Sequence, residues 1–137
     1  HWSVDNYGDI NTPVFGAVIE AFQGHHESPW TITYRPFANN IHKICYGIIP
    51  LLSLLALAHP GSLGTVFGVS FLVSALLSQE FHKYAHMVDP PAPIRALQDS
   101  GVLLSRRAHG RHHSSPFEGN YCIVNGMCND AMDRIGM

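Results

Sequence analysis

Two apolar runs, Ile44 to Ala58 and Leu63 to Leu77, divide at His59-Pro60-Gly61-Ser62, and no Asp, Glu, Lys or Arg occurs between Ile44 and Gln79. Each run is shorter than the roughly 20 residues that cross a bilayer unaided. Flanking residues extend both, and Lys43 can snorkel to the interface, so the pattern predicts transmembrane helices over about 41–58 and 62–80. A buried helical hairpin in a soluble protein is the alternative. Pro50 and Gly47 inside the first run are better tolerated in a membrane helix. Gly64 and Gly68 form a small-xxx-small pair suited to close helix packing. All eight Lys and Arg lie outside the two runs, so a hairpin puts them on one side, as the positive-inside rule prefers.

Before the hairpin, Val14, Phe15, Val18, Ile19 and Phe22 follow a helical period. Thr12-Pro13 reads as an N-cap and first-turn proline, and Gly24 as the stop, so that His25-His26 follows the helix. His1 and Asp5 have helical spacing. Glu27 to Asn40, with Pro29, Trp30, Tyr34, Pro36 and Phe37, reads as irregular or interfacial. After it, Asp89-Pro90-Pro91-Ala92-Pro93 breaks the chain. Ile94, Leu97, Gly101 and Leu104 then mark one face of an interfacial helix. Ser114 to Gly119 is turn-like, Tyr121 to Val124 is a short apolar segment, and Asn125 to Met137 has no clear pattern. The expected fold is all-α: one integral membrane domain over residues 1–137, a transmembrane hairpin plus interfacial helices.

Eight of the ten histidines fall into four clusters: His1 near Asp5, His25-His26, His82-x-x-x-His86, and His109-x-x-His112-His113. On a helix, the i, i+3 and i+4 spacing puts rings on one face. Neutral imidazole is a common ligand of first-row transition metals. The first run leaves the side carrying His25-His26 and the second returns to it, so a hairpin gathers the clusters at one membrane edge. His59 lies on the far side, and His42 is isolated with a structural role. Seven or eight imidazoles are too many for one ion and suit two.

Composition narrows the classes. Charged residues are 13%, about half the usual share of a soluble domain. A net charge of -2 leaves no basic field for nucleic acid. Cys45, Cys122 and Cys128 are too scattered for a disulfide framework and read as free thiols. Arg106, Arg107 and Arg111 interleave the last histidine cluster, facing lipid phosphates, an anionic substrate head, or simply solvent. There is no initiator Met, signal peptide or transit peptide, so the N-terminus is expected to be incomplete and carries no readable address.

In order along the chain, His1-Trp2-x-x-Asp5, Gln23-Gly24-His25-His26, Pro29-Trp30-Thr31-Ile32-Thr33, Phe37-Ala38-Asn39-Asn40, His82-x-x-x-His86, Leu97-Gln98-Asp99, His109-x-x-His112-His113 and Tyr121-Cys122-Ile123 resemble the lipid desaturase domain. That family includes plasmanylethanolamine desaturases and the plastid fatty acid desaturase 4 type. Gln-Gly-His-His, Pro-Trp-Thr-Ile-Thr and Ser105-Arg106-Arg107 resemble the plastid branch more closely. The resemblance implies a di-iron centre using O2, with His1, His25, His26, His82, His86, His109, His112 and His113 as ligands and Asp5 as a ligand or orienting partner. It implies desaturation of the palmitoyl chain of phosphatidylglycerol near its carboxyl end, giving a trans double bond. Electrons would come from a ferredoxin-type donor, and a peroxiredoxin is a further implied partner. The implied location is the chloroplast thylakoid or envelope, with the endoplasmic reticulum second. The chain lacks the apolar sequence the family carries upstream of its first motif, and Met127-Cys128 stands where the plastid type tends to have an aromatic residue.

An alkyl C–H bond has no acidity and no leaving group, so its activation needs a redox metal. Trp30, Phe81 and Tyr84 are candidate linings for an acyl groove. Two other readings stand beside the desaturase. One is a silent subunit of a photosynthetic membrane complex, its histidines empty or ligating a chlorophyll. The other is a zinc hydrolase, which lacks the expected His-Glu-x-x-His arrangement.

Overall fold

In a computed structural model that describes residues 1–136, the chain is helical, with no β-strand among the described residues. The helices are α1 (Trp2–Asn6), α2 (Gly16–Glu27), α3 (Phe37–Ala58), α4 (Gly61–His86), α5 (Ala92–Asp99), α6 (Arg106–His112) and α7 (Asn129–Arg134), with a 3₁₀ segment, Pro29–Tyr34, between α2 and α3.

The hairpin forms as the apolar pattern dictates, and it is longer than the runs suggest. α3 has 22 residues and α4 has 26, with mean hydropathies of 1.8 and 1.7 over their most apolar stretches. Helix continues to His86 because the polar end of α4 has its own partners, described below. His59 closes α3 in the left-handed region at φ 45°, and Pro60 and Gly61 complete the reversal. A Cβ on Gly68 would lie 2.7 Å from Leu55 Cδ2, so glycine is what lets the two helices approach there. Gly64 faces Pro60 rather than α3. Pro50 sits inside α3, and the adjacent turn is steadied by Ser53 Oγ, which donates to the Ile49 carbonyl at 2.9 Å. Leu54, Leu57, Leu63, Val66, Phe67 and Phe71 all face outward. Fully burying one such side chain is worth about 1.5–3 kcal/mol, so this surface is built for lipid rather than water.

At the base of the hairpin the packing changes character. Asn40 Nδ2 donates to the Gln79 carbonyl and to Glu80 Oε2, both at 2.9 Å. Lys83 Nζ donates to Glu80 Oε1 at 3.1 Å and to the Arg35 carbonyl at 3.0 Å. The buried Glu80 carboxylate is thereby paired and hydrogen-bonded, the condition under which a buried charge is tolerated. This clamp fixes the start of α3 and the 3₁₀ segment against the last turns of α4.

Three expected boundaries are corrected. α2 starts at Gly16, not after Thr12-Pro13: Val14 takes φ 68°, and Thr12 Oγ1 accepts from the Asp9 amide instead of capping a helix. A Cβ at Gly16 would stand 2.0 Å from the Ile10 carbonyl oxygen, so the chain folds tightly over the helix start. Gly24 does not stop α2, which runs through His25 and His26 to Glu27. The helix after the proline link is Ala92–Asp99 only. Gly101 then turns at φ 77°, and Leu103 and Leu104 enter the core from an extended turn. The patternless tail also contains a short helix, α7; Met137 lies outside the described residues.

Candidate metal centre

Four helices deliver the histidines. His1 is the N-cap of α1 and Asp5 lies one turn on. His25 and His26 occupy the last turn of α2, and His82 and His86 the last turns of α4. His109 and His112 lie on α6, with His113 at its C-cap. Ser105 starts α6, its Oγ accepting from the Ala108 amide at 3.3 Å. The pieces are tied together away from the rings. Gln23 Nε2 donates to the carbonyls of Val4 and Gly8, holding α1 on α2. Gln98 Nε2 donates to the carbonyls of Tyr84 and Leu104, holding the chain before α6 against α4.

All nine residues meet, in two groups. His25, His82, His86, His109 and His113 form one; His1, Asp5, His26 and His112 form the other. In each group the potential ligand atoms lie within 4.8 Å of one another. Each i, i+4 pair stays within one group: His1 with Asp5, His82 with His86, His109 with His113. Neighbours in sequence part: His25 from His26, His112 from His113. One helical turn keeps two rings on the same point, whereas adjacent residues diverge by about a third of a turn.

In the first group Nε2 atoms crowd together. His82 Nε2 lies 3.2 Å from that of His25, 3.0 Å from His86 and 2.9 Å from His109. His86 Nε2 is 3.0 Å from His25 and 2.8 Å from His109, and His113 Nε2 is 3.1 Å from His109. A neutral imidazole has a single N–H, so this mesh cannot be satisfied as hydrogen bonds. Lone pairs directed at a common cation account for it. Donors about 2.1 Å from an ion are ~3.0 Å apart at right angles and ~3.4 Å apart at tetrahedral corners. Five of the six observed separations lie nearer the former value.

The second group converges on a carboxylate. Asp5 Oδ2 lies 3.1 Å from His1 Nε2, 3.4 Å from His26 Nε2 and 3.5 Å from His112 Nε2. Both Asp5 oxygens and the Nε2 atoms of His26 and His112 are buried without a hydrogen-bond partner. Orphaned buried polar atoms are costly, and three of these, Asp5 Oδ2 with the Nε2 atoms of His26 and His112, converge in a way that fits a cation.

Burial and the neighbouring rings, His86 foremost, lower the pKa of His25 and of His113 to about 3. Burial also lowers His109 and His112, in the latter case against the Gly119 carbonyl and Asp5, which raise it. These rings are neutral at physiological pH, the form in which imidazole binds metal. His112 is fully buried, and its Nδ1 donates to the Gly119 carbonyl at 3.0 Å. That fixes the ring with Nε2 toward the site, the usual way a ligand histidine is oriented.

The sequence reading missed the supports. Tyr121 is buried, with its ring 5.0 Å from that of His112 and 6.0 Å from that of His1. Its hydroxyl donates to the Phe117 carbonyl and accepts from Asn6 Nδ2. Its place in the Tyr121-Cys122-Ile123 motif was the available signal. Trp30, Phe81 and Tyr84 do not line the cavity that reaches His25 and His82. That cavity, about 500 Å³, lies between α2, the 3₁₀ segment and the hairpin. Ala21, Phe22, Ile32 and Ile44 line it, and it ends on His25 and His82. Trp30 instead faces outward at 56% exposure. His42 bonds locally, Nδ1 donating to the Asn39 carbonyl, and His59 is at the far turn. Both stand apart from the two groups, as expected. Arg106, Arg107 and Arg111 are exposed on α6.

The family model of the lipid desaturase domain matches residues 1–137. The chain is 48% identical over 136 residues to the chloroplastic fatty acid desaturase 4 of Arabidopsis thaliana, covering 98% of this chain and 42% of that protein. It is 33% identical to the plasmanylethanolamine desaturase of Myxococcus xanthus, covering 98% and 50%, and 31% identical to plasmanylethanolamine desaturase 1 of Mus musculus, covering 99% and 54%. The chain thus spans about half the length of these relatives. No solved structure matches it. The chain belongs to the lipid desaturase domain family.

Proposed function

We propose that this member of the lipid desaturase family is the catalytic domain of a membrane-bound, di-iron acyl-lipid desaturase. One observation carries the reading: nine potential ligands converge as two adjoining groups where an apolar hairpin meets its polar base. His25, His82, His86, His109 and His113 would hold one iron; His1, Asp5, His26 and His112 would hold the other. The balanced reaction is CH2–CH2 plus O2, two electrons and two protons, giving CH=CH and two waters. Iron, when bound, supplies the reduction of dioxygen and the oxidation of an unactivated C–H bond, which no side chain can perform.

The chain's own residues supply the rest. Neutral rings keep the donors available at physiological pH, and the buried His109 and His112 keep bulk water from the site. The cavity ending on His25 and His82 holds the acyl chain, with the apolar walls of Ala21, Phe22, Ile32 and Ile44 directing methylenes to the site. Arg35 and Lys43 also border it and would meet a lipid phosphate. The greater similarity to a chloroplastic fatty acid desaturase than to the plasmanylethanolamine enzymes supports a chloroplast membrane. The substrate we propose there is the palmitoyl chain of phosphatidylglycerol, with a trans double bond near the carboxyl end as product. A ferredoxin-type protein would deliver the electrons.

The test is iron analysis together with lipid analysis. Purified protein is expected to carry about two irons and to convert phosphatidylglycerol palmitoyl chains when given reduced ferredoxin. His112→Ala should lose both iron and product. Retained product in that variant, or zinc in place of iron in the active protein, would overturn the proposal.

A further inference from the structure

A glycine inside a helix usually needs a reason, and two here have one. A Cβ at Gly16 would stand 2.0 Å from the Ile10 carbonyl oxygen, and one at Gly68 would stand 2.7 Å from Leu55 Cδ2. Gly24 has no such neighbour. It lies inside α2, its φ is not positive, and a Cβ there would meet nothing within 4 Å. Glycine in a helix is less stable than alanine, because it gives up more backbone freedom on folding. Neither packing nor backbone conformation therefore accounts for it. Gly47 and Gly110 also face open space. Among the described residues, Gly24 is the one of these three that borders the cavity of about 500 Å³ ending on His25 and His82.

α2 presents two unlike faces. One is occupied: Ile19 is buried, and Gln23 Nε2 donates to the carbonyls of Val4 and Gly8. The other carries Ala17, Ala21 and Gly24 at i, i+4 and i+7, one stripe on a helix, and all three line the cavity. The stripe is about 10 Å long at 1.5 Å per residue. Its side chains dwindle toward the histidines, from methyl groups to none at Gly24. The other walls carry Ile32 and Ile44. At the end of the cavity His82 is 4% exposed, and its Nδ1 is buried without a hydrogen-bond partner. An open apolar strip that leads to a buried polar ring suits an unbranched hydrocarbon chain. We infer that Gly24 is a specificity-determining residue: its missing side chain leaves the width through which a straight acyl chain passes His25. Any side chain at this position narrows that passage without disturbing the fold.

The inference rests on the acyl-lipid reading above and names the residue that sets the width of its cavity. Gly24→Ala and Gly24→Leu, each purified in detergent with iron bound, test it. The probe is phosphatidylglycerol whose palmitoyl chain carries a photoreactive diazirine. Crosslinks are mapped by mass spectrometry, so binding is read without turnover. In the unaltered protein they are expected on α2 between Ala17 and Gly24 and on Ile32 or Ile44. Gly24→Ala should keep its metal and melt at the same or a higher temperature. It should nonetheless lose about tenfold in kcat/KM, the effect of one added carbon in an apolar pocket, with the loss mainly in KM. Gly24→Leu should keep its metal and lose both crosslinking at these positions and conversion, by about a hundredfold. A sturdier but poorer alanine variant is what a purely structural glycine does not give. A leucine variant with metal retained and crosslinking or conversion unaltered would overturn the inference. So would an alanine variant that loses metal or melts lower, because Gly24 would then serve the turn that holds His25. If leucine displaces His25 and the metal, the alanine variant decides alone. Crosslinking on α2 in a protein that forms no double bond would instead remove the desaturase reading and leave the passage in place.

Discussion

Between Gly61 and Leu77, α4 exposes Phe67 at 71% and Phe71 at 62% and buries little beyond Leu72; between Glu80 and His86 it buries Glu80 at 5%, His82 at 4% and Ala85 at 1%. One continuous helix thus serves two interiors. Its upper half depends on lipid for most of its apolar contact and on α3 for the remainder. Its lower half enters a core whose largest fully buried side chains are His109 and His112. An ordinary core is stable because its atoms need no partner. This one is lined with nitrogen and carboxylate oxygen that do need one, so the lower half depends on what those atoms bind, and the upper half does not.

The sharpest way to break that contrast is to remove the metal. Chelation is expected to open the histidine half while the hairpin stays folded, because ions bound only by the folded form stabilise it. Limited proteolysis should accelerate at least tenfold between Ser114 and Met127, with α3 and α4 still protected. Equal protection with and without chelator would erase the distinction. Next in size, Asp5→Asn removes the one carboxylate of the second group. Metal content should fall from two toward one per chain, with affinity at that position reduced by roughly 10–100-fold, as for other changes around metal ligands.

Changes at the seam between the halves are smaller. Asn40→Ala removes two donated hydrogen bonds and leaves Glu80 Oε2 buried without its donor, a loss of about 1–3 kcal/mol, read as thermal stability in detergent. Within the hairpin, Gly68→Ala forces Leu55 aside and should cost about 1 kcal/mol, at the low end for overpacking. It should leave metal content unchanged. The smallest effect is expected for Phe71→Leu on the lipid face, within about 0.5 kcal/mol.

Much of this architecture was legible in the residues because two periodicities are strong. The uncharged stretch from Ile44 to Gln79 announces the hairpin, and the hairpin alone brings His25-His26 and His82-His86 to one side. Each i, i+4 pair stays in one group, whereas His112, at i+3 and read as sharing the face of His109 and His113, falls in the other. The helix boundaries were harder to read because tertiary contacts decide them. Thr12-Pro13 has the chemistry of a helix start, yet the close pass of Ile10 over Gly16 sets the start three residues later. Gly24 is a weak stop when Gln23 anchors the same turn to α1. The partition of His25 from His26 follows from where α2 points, and the roles of Tyr121, Asn40 and Glu80 follow from partners 39 or more residues distant. Local pattern carries no record of such partners. The resemblance to the family was legible in the ordered motifs; the geometry of the nitrogen cage was not.

One contact constrains proton traffic. His112 commits its Nδ1 hydrogen to the Gly119 carbonyl and is sealed from solvent on every side. Its tautomer is therefore locked, and a ring that cannot change tautomer cannot pass a proton from one nitrogen to the other. In the proposed desaturation, the two protons that end in water would travel by a route that bypasses this imidazole, leaving His112 a stationary electron-pair donor.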